Sequence, residues 1–114
     1  MRATKQKPAT TERRHSPRRQ PTLGTTCRLM SQAGKSLGVG LVWNISASGV
    51  SMFVGTKLDP GTELKGELFA SETRDALALT LRVAHLAKLL TGDYFIGGQF
   101  ERPLTEQELR PFVV

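Results

Sequence analysis

Apolar and polar residues alternate over much of the chain. In TELKGELFA (62–70), Leu64 and Leu68 fall on one face and Glu63, Lys65 and Glu67 on the other. LALTLRV (77–83) repeats the pattern, with Leu77, Leu79, Leu81 and Val83 on one side. A two-residue period is that of a strand with one face buried. Four further runs have strand composition: TLGTTCRLM, GVGLVWNIS, VSMFV and YFIGGQF. Between the runs stand turn-forming segments, SQAGKS, ASG, the Asp59-Pro60-Gly61 of GTKLDPG, SETRD and Thr91-Gly92-Asp93. No strand is followed by a long helical crossover. About six strands with short connections predict a mainly all-β fold, an antiparallel sheet closed or nearly closed into a barrel. The frequent glycines, 11 in all, fit a small and sharply curved sheet.

The end of the chain departs from this period. In PLTEQELRPF, Thr105 is followed three residues later by Glu108, the pattern of a capping box. Leu104 before the cap and Leu109 four residues after it supply the matching hydrophobic staple. Pro111 limits the element to one or two turns. A short helix therefore closes the domain at the barrel's edge or mouth. At the other end, residues 1–11 are polar and aperiodic and are expected to form a disordered lead-in, with one domain over 12–114.

Length and charge narrow the function classes. The 114 residues bury one modest core but not two. No apolar run approaches the roughly 20 residues that cross a bilayer. The N-terminus is basic but has no apolar stretch behind it, so it does not read as a secretory signal. Its Arg, Lys and Thr content is that of a transit segment, yet it lacks amphipathic periodicity. The single cysteine, Cys27, excludes an internal disulfide and fits a reducing, cytoplasmic setting, where it packs as a small hydrophobe. The formal charge of +6 is concentrated in one place. Residues 1–19 hold seven Lys or Arg and one acid, Glu12, while the rest of the chain holds nine of each sign. A nucleic-acid-binding domain usually spreads basic residues over a face of its fold, and this body does not.

Nothing in the sequence has the pattern of a catalyst. The two histidines, His15 and His85, lack partners at metal or nucleophile–base spacing. His85, in VAHLAK, reads as structural. Glu63 and Glu67 share a strand face with Lys65, which argues against a carboxylate pair. Two other features have residue types suited to a ligand, although ERRHSPRR taken alone reads as a solvated basic tail or a nucleic-acid arm. In ERRHSPRR, Arg14 and Arg18 stand in R-x-x-x-R spacing with Arg13 beside them, and Pro17 biases the segment towards a bent, extended strap. Arginine meets phosphate, or the O6/N7 edge of guanine, in bidentate fashion. In WNISASGVSM, Asn44 and Ser46 leave one face of a strand, with Trp43 and Ile45 on the opposite face, towards the core. Gly49 follows and permits a tight turn. Taken alone, this second feature is more often a polar strand end with an Asx-type turn.

Arg14-x-x-x-Arg18 followed by Asn44-x-Ser46-x-x-Gly49 resembles the two-part signature of PilZ domains, R-x-x-x-R and [D/N]-x-S-x-x-G. The later IGGQF, with Gly97, Gly98 and Phe100, is similar to that family's glycine-and-Phe strand. The resemblance runs from about residue 12 to 112 and covers the order of the motifs, six strands and a final helix.

That resemblance implies a six-stranded PilZ-type barrel binding the bacterial second messenger cyclic di-GMP, with no enzymatic activity and no metal or other cofactor. It assigns Arg14 and Arg18 to phosphates and guanine Hoogsteen edges, with Arg13 as an auxiliary cation. It assigns Asn44 and Ser46 to hydrogen bonds with a guanine, and Gly49 and Gly98 to the same ligand site. Asn44 stands where Asp is also common. The expected mechanism is ordering of the arginine strap over the barrel on ligand binding, read by a downstream partner protein. Two alternatives remain: a basic-tailed barrel that binds nucleic acid, or a protein–protein adaptor indifferent to the nucleotide. Nucleic acid calls for exposed aromatic residues, and the one Trp, one Tyr and five Phe fall mostly at positions that suggest the core.

Overall fold

The computed structural model describes residues 17–114; the expected lead-in over 1–11, with Arg13 and Arg14, lies outside them. Six strands form the body: β1 (Thr25–Met30), β2 (Ser36–Ile45), β3 (Gly49–Val54), β4 (Glu63–Ala70), β5 (Asp75–Lys88) and β6 (Tyr94–Phe100). Every pairing is antiparallel, and the order β1-β2-β3-β6-β5-β4 closes on itself into a barrel. A single turn of helix, α1 (Glu106–Leu109), runs into a 3-10 turn at Arg110–Phe112.

The two-residue period explains β4 well. Leu64 and Leu68 are buried, with Gly66 between them on the same inner face, while Glu63 and Lys65 are exposed. The inner faces of all six strands meet in one core, in which Cys27, Leu29, Ile45, Met52, Leu64, Leu68, Leu81, Val83 and Ile96 are buried. Burial pushes the Cys27 thiol up to about 12, so it stays a protonated, unreactive core group at neutral pH. Asp59-Pro60-Gly61 makes the expected turn, with Thr62 N donating to Asp59 O at 3.1 Å and Gly61 at φ +91°.

The C-terminal helix is capped as its sequence predicts. Glu108 N donates to Thr105 Oγ1 at 3.1 Å, and Thr105 N donates to Glu108 Oε1 at 3.0 Å. Leu104 and Leu109, the staple pair, are both buried, and so are Phe112 and Val113. The C-terminal segment thus contributes apolar residues to the core itself, beyond an edge contact.

Register shifts interrupt the alternation in the β1–β2, β2–β3 and β5–β6 pairings, and the last two bear on the cleft. In β2 the pairing with β3 shifts between Val42 and Asn44. The extra residue, Trp43, is swung outward and left 59% exposed, whereas Ile45 is fully buried. The expectation that both point to the core holds only for Ile45. Trp43 instead meets Phe53 edge-on at 5.8 Å, and Phe53 meets Phe95 at 5.0 Å. Phe53 and Phe95 are half-buried and only Phe100 and Phe112 among the phenylalanines are buried, so the aromatic residues are not mostly core. The second bulge lies between Val83 and His85 in β5. It carries the strand on to Lys88 with Leu86 packed against the core and His85 outside.

Candidate ligand-binding cleft

The chain enters the barrel as an extended strap. Arg19 N donates to Ile45 O at 2.8 Å and Ile45 N donates to Arg19 O at 3.1 Å, an antiparallel bridge that extends the end of β2. Pro21 bridges Val113, and Val114 N donates to Gln20 O, so the strap lies between β2 and the C-terminal tail. Successive side chains in an extended segment point to opposite sides. Arg19 turns to α1 and pairs with Glu106 at 2.9 Å. Arg18 turns onto the outer face of the barrel, where its Nη1 donates to Asn44 Oδ1 at 2.6 Å and to Ser51 Oγ at 3.0 Å.

Register explains why these partners coincide. Asn44 is paired with Ser51, Ser51 with Gly97 and Gly97 with His85. Four strands therefore present one cross-strand row to the outside. Ser51 is buried although it belongs to this outer row, because Arg18 lies over it. Beside the row runs a cleft of about 370 Å³, lined by Arg18, Ser46, Ser48, Gly49, His85, Gly97, Gly98, Gln99 and Glu101 among others. A neighbouring groove of about 490 Å³, between strap residues 18–25 and Val42–Asn44, shares Arg18 and includes Trp43. Arg18 stands between the two.

The turn that walls the cleft is held by Ser46. Its side chain is buried, and Oγ accepts from the backbone N of Ser48 and of Gly49, each at 3.2 Å. Ser46 N in turn donates to Gly49 O at 2.8 Å. The hydroxyl thus caps its own turn, a role that serine takes readily at the end of a strand. Gly49 has a steric reason to be glycine. A Cβ there would stand 2.4 Å from the carbonyl oxygen of Gly98 on the neighbouring strand. Gly98 itself faces inward, where a Cβ would meet Leu81 Cδ1 at 2.8 Å, so its backbone alone borders the cleft.

Of the residues expected at the site, the structure brings Arg18, Ser46, Gly49 and Gly98 to one cleft. Asn44 joins through its hydrogen bond to Arg18 and faces the neighbouring groove. Arg13 and Arg14 lie outside the described residues. Three residues were missed by sequence reasoning: Ser51, His85 and Gln99. Ser51 follows from the β2–β3 register, and His85 from a bulge, neither of which alternation reveals. Among the described residues no three His, Cys, Asp or Glu side chains gather as metal ligands. No helix there is long and apolar enough to cross a membrane.

The model of the PilZ domain family matches residues 12–113. The chain belongs to the PilZ domain family. None of the curated proteins matches it. Among solved structures, the PilZ barrel resembles MrkH of K. pneumonia in complex with c-di-GMP, with a TM-score of 0.66 and 21% identity over 85% of this chain and 48% of MrkH. MrkH in its apo state gives 0.63 and 20% identity over 82% of this chain and 45% of MrkH. The Bacillus subtilis inhibitor of motility MotI/DgrA gives 0.60 at 12% identity, covering 85% of this chain and 46% of MotI. At these identities the likeness is one of fold. This chain spans about half the length of either protein.

Proposed function

We propose that this PilZ barrel is a receptor module for cyclic di-GMP. One observation carries the proposal: the guanidinium of Arg18, the second arginine of R-x-x-x-R, is held by Asn44, the first residue of Asn-x-Ser-x-x-Gly. One residue from each half of the family signature is thus in contact, which supports a shared ligand site. The arginine supplies charge and a bidentate donor for phosphate or for guanine O6 and N7. Ser46, Gly49 and Gly98 shape the opposite wall with polar backbone. Arg14 and Arg13, four and five residues upstream, bring further cations to the same ligand. A solved MrkH complex contains c-di-GMP in a protein of this fold, which supports the choice of ligand.

The mode of action in this proposal is ordering of the strap on the ligand. Cations clustered over residues 13–19 repel one another, and a dianionic nucleotide removes that repulsion. Arg19 ties the strap to α1 through Glu106, so the strap and the C-terminal helix present one continuous surface. A partner protein in the bacterial cytoplasm reads that surface. The module performs no catalysis; its output is binding. Calorimetric titration with cyclic di-GMP tests this, with saturable binding expected and Arg18→Ala and Arg14→Ala both weakening it. The absence of binding to the unmodified chain contradicts it.

A second reading gains one observation. Trp43, Phe53 and Phe95 form an aromatic cluster on the outer face, where single-stranded nucleic acid finds stacking surfaces. Against it, the charge of the body beyond residue 19 balances. This reading requires binding that falls steeply with salt and shows no preference for cyclic di-GMP.

A further inference from the structure

An antiparallel sheet with one face in water usually turns polar side chains outward. Three adjacent strands of this barrel do not. β2, β3 and β6 are neighbours in the closed order and hold no charged residue at all. Register lays their outer side chains in one row, with Leu41 opposite Phe53, Phe53 opposite Phe95, and Phe95 opposite Ala87 of β5. Along β2, Val39 and Trp43 flank Leu41, and Val39, Leu41 and Trp43 are 55%, 61% and 59% exposed. β4 keeps the usual rule, with Glu63, Lys65 and Glu67 on its outer face. Single exposed apolar residues need no explanation, but a contiguous patch of them marks a surface that another molecule covers.

The rim of the stripe selects among occupants. Arg28 stands opposite Val39, and its ion pair with Glu67 is exposed and long, at 3.7 Å, so it holds the guanidinium weakly. Lys88 follows Ala87 at the other end of the row. Arg18 shares the groove beside β2 with Trp43. Asp93, in the turn after Lys88, accepts from Thr91 Oγ1 at 3.5 Å within that turn. A second copy of the chain would bring the same cations against these, with no carboxylate on β2, β3 or β6 to answer them. Single-stranded nucleic acid has the right charge but stacks on open ring faces. Here Trp43 meets Phe53 at 80° and Phe53 meets Phe95 at 60°, edge to face, and Val39 and Leu41 carry no ring. Such a surface receives aliphatic and aromatic side chains between its own.

We propose that the β2–β3–β6 stripe is a docking surface for a partner protein, and that it takes an amphipathic segment whose apolar side chains are flanked by Asp or Glu. The apolar side chains cover Leu41, Phe53 and Phe95, and the carboxylates reach Arg28 and Lys88. Burial of the apolar side chains supplies affinity, and the rim charges supply orientation. The stripe meets the strap at the groove that Arg18 and Trp43 line, so a partner that reads the ordered strap reaches the stripe as well. The docking surface stands without the nucleotide; its use as the module's output rests on the receptor reading.

The test starts from a phage-displayed library of random short peptides selected on the immobilised full chain. Selected peptides are synthesised and titrated, with Trp43, the single tryptophan, as fluorescent reporter. They are expected to combine apolar residues with Asp or Glu and to shift the Trp43 emission to the blue as they cover it. Leu41→Ser, at an exposed position, melts as the unmodified chain does and loses about tenfold or more in peptide affinity. Arg28→Glu also weakens binding, and peptides whose acids are replaced by lysine do not bind. Selected peptides without acidic residues, or undiminished affinity in Leu41→Ser, overturn the proposal. So does a concentration-dependent dimer in sedimentation that Leu41→Ser abolishes, which gives the stripe to a second copy. Tighter binding of oligothymidylate, quenching Trp43 and lost in Leu41→Ser, overturns it in favour of nucleic acid. Leu41→Ser is expected to bind cyclic di-GMP as the unmodified chain does. No nucleotide binding by the unmodified chain overturns the receptor reading and leaves the docking surface standing.

Discussion

Arg18 reaches across 26 positions of sequence to Asn44, its Nη1 donating to Oδ1 at 2.6 Å. The same nitrogen donates to Ser51 at 3.0 Å, so one guanidinium is oriented by two neighbouring strands. The strap does not simply drape over the barrel: the bridge between Arg19 and Ile45 fixes its register. That register decides which arginine faces the cleft and which faces α1.

Removing the amide should therefore act on ligand affinity through Arg18. Asn44→Ala leaves the guanidinium with Ser51 alone, and cyclic di-GMP binding is expected to weaken by about tenfold, the scale of a hydrogen bond to a charged group. The melting temperature should barely move, because Arg18 is exposed. Calorimetry paired with thermal melts checks this. An Asn44→Ala protein that binds normally would show that Arg18 needs no such guide.

The bulge in β2 separates two adjacent apolar residues by environment. Ile45→Ala empties a fully buried site and is expected to cost about 2–5 kcal/mol. Trp43→Ser, at a position 59% exposed, is expected to cost less than about 1 kcal/mol despite the larger side chain. Urea denaturation of both variants measures the contrast. Equal losses would mean that Trp43 is packed inward and that the bulge is absent.

At Gly49 the obstacle is backbone. An alanine methyl would meet the Gly98 carbonyl oxygen at 2.4 Å, so β3 and β6 must part to admit it. Gly49→Ala is expected to destabilise the fold by about 1–3 kcal/mol. Gly98→Ala meets only the end of the Leu81 side chain at 2.8 Å and should cost less, since a flexible side chain can give way. Denaturation midpoints of the two variants order these costs, and the reverse order would contradict the packing described.

Acid should loosen the C-terminal cap. The Arg102 guanidinium, hydrogen-bonded to Glu108, holds that carboxyl down at about 2 against an ordinary 4.5, with the backbone N–H of Thr105 helping. A carboxyl depressed in the folded state stabilises the fold above its unfolded value, and that stabilisation is lost as pH falls towards the folded value. Melting temperatures taken from pH 5 to pH 2 should therefore fall less steeply in Arg102→Ala than in the unmodified chain. Parallel curves would show that the pair contributes nothing to folding.

The sequence made the barrel legible wherever the two-residue period runs unbroken. Leu64 and Leu68 in β4 went where alternation sends them, and Thr105 and Glu108 formed the expected cap. The period misled at Trp43, because a bulge inserts one residue and reverses the parity on either side of it. The same device put His85 on the outer face, and pattern alone signals no bulge. Arg18, Asn44, Ser46 and Gly49 were visible as motifs. Ser51 was not, because its place beside Arg18 depends on the pairing of β2 with β3. Ser46 was legible as polar, but its role in capping the Ser46–Gly49 turn appears only in three dimensions.

The most direct measurement is titration of the purified chain with cyclic di-GMP by calorimetry, repeated with Arg18→Ala and with a single-stranded oligonucleotide in place of the dinucleotide. A PilZ receptor binds cyclic di-GMP saturably, loses about tenfold or more in affinity with Arg18→Ala, and prefers the dinucleotide to the oligonucleotide at physiological salt. No heat with cyclic di-GMP, or equal binding by Arg18→Ala, contradicts the site; stronger, steeply salt-dependent binding of the oligonucleotide points instead to nucleic acid.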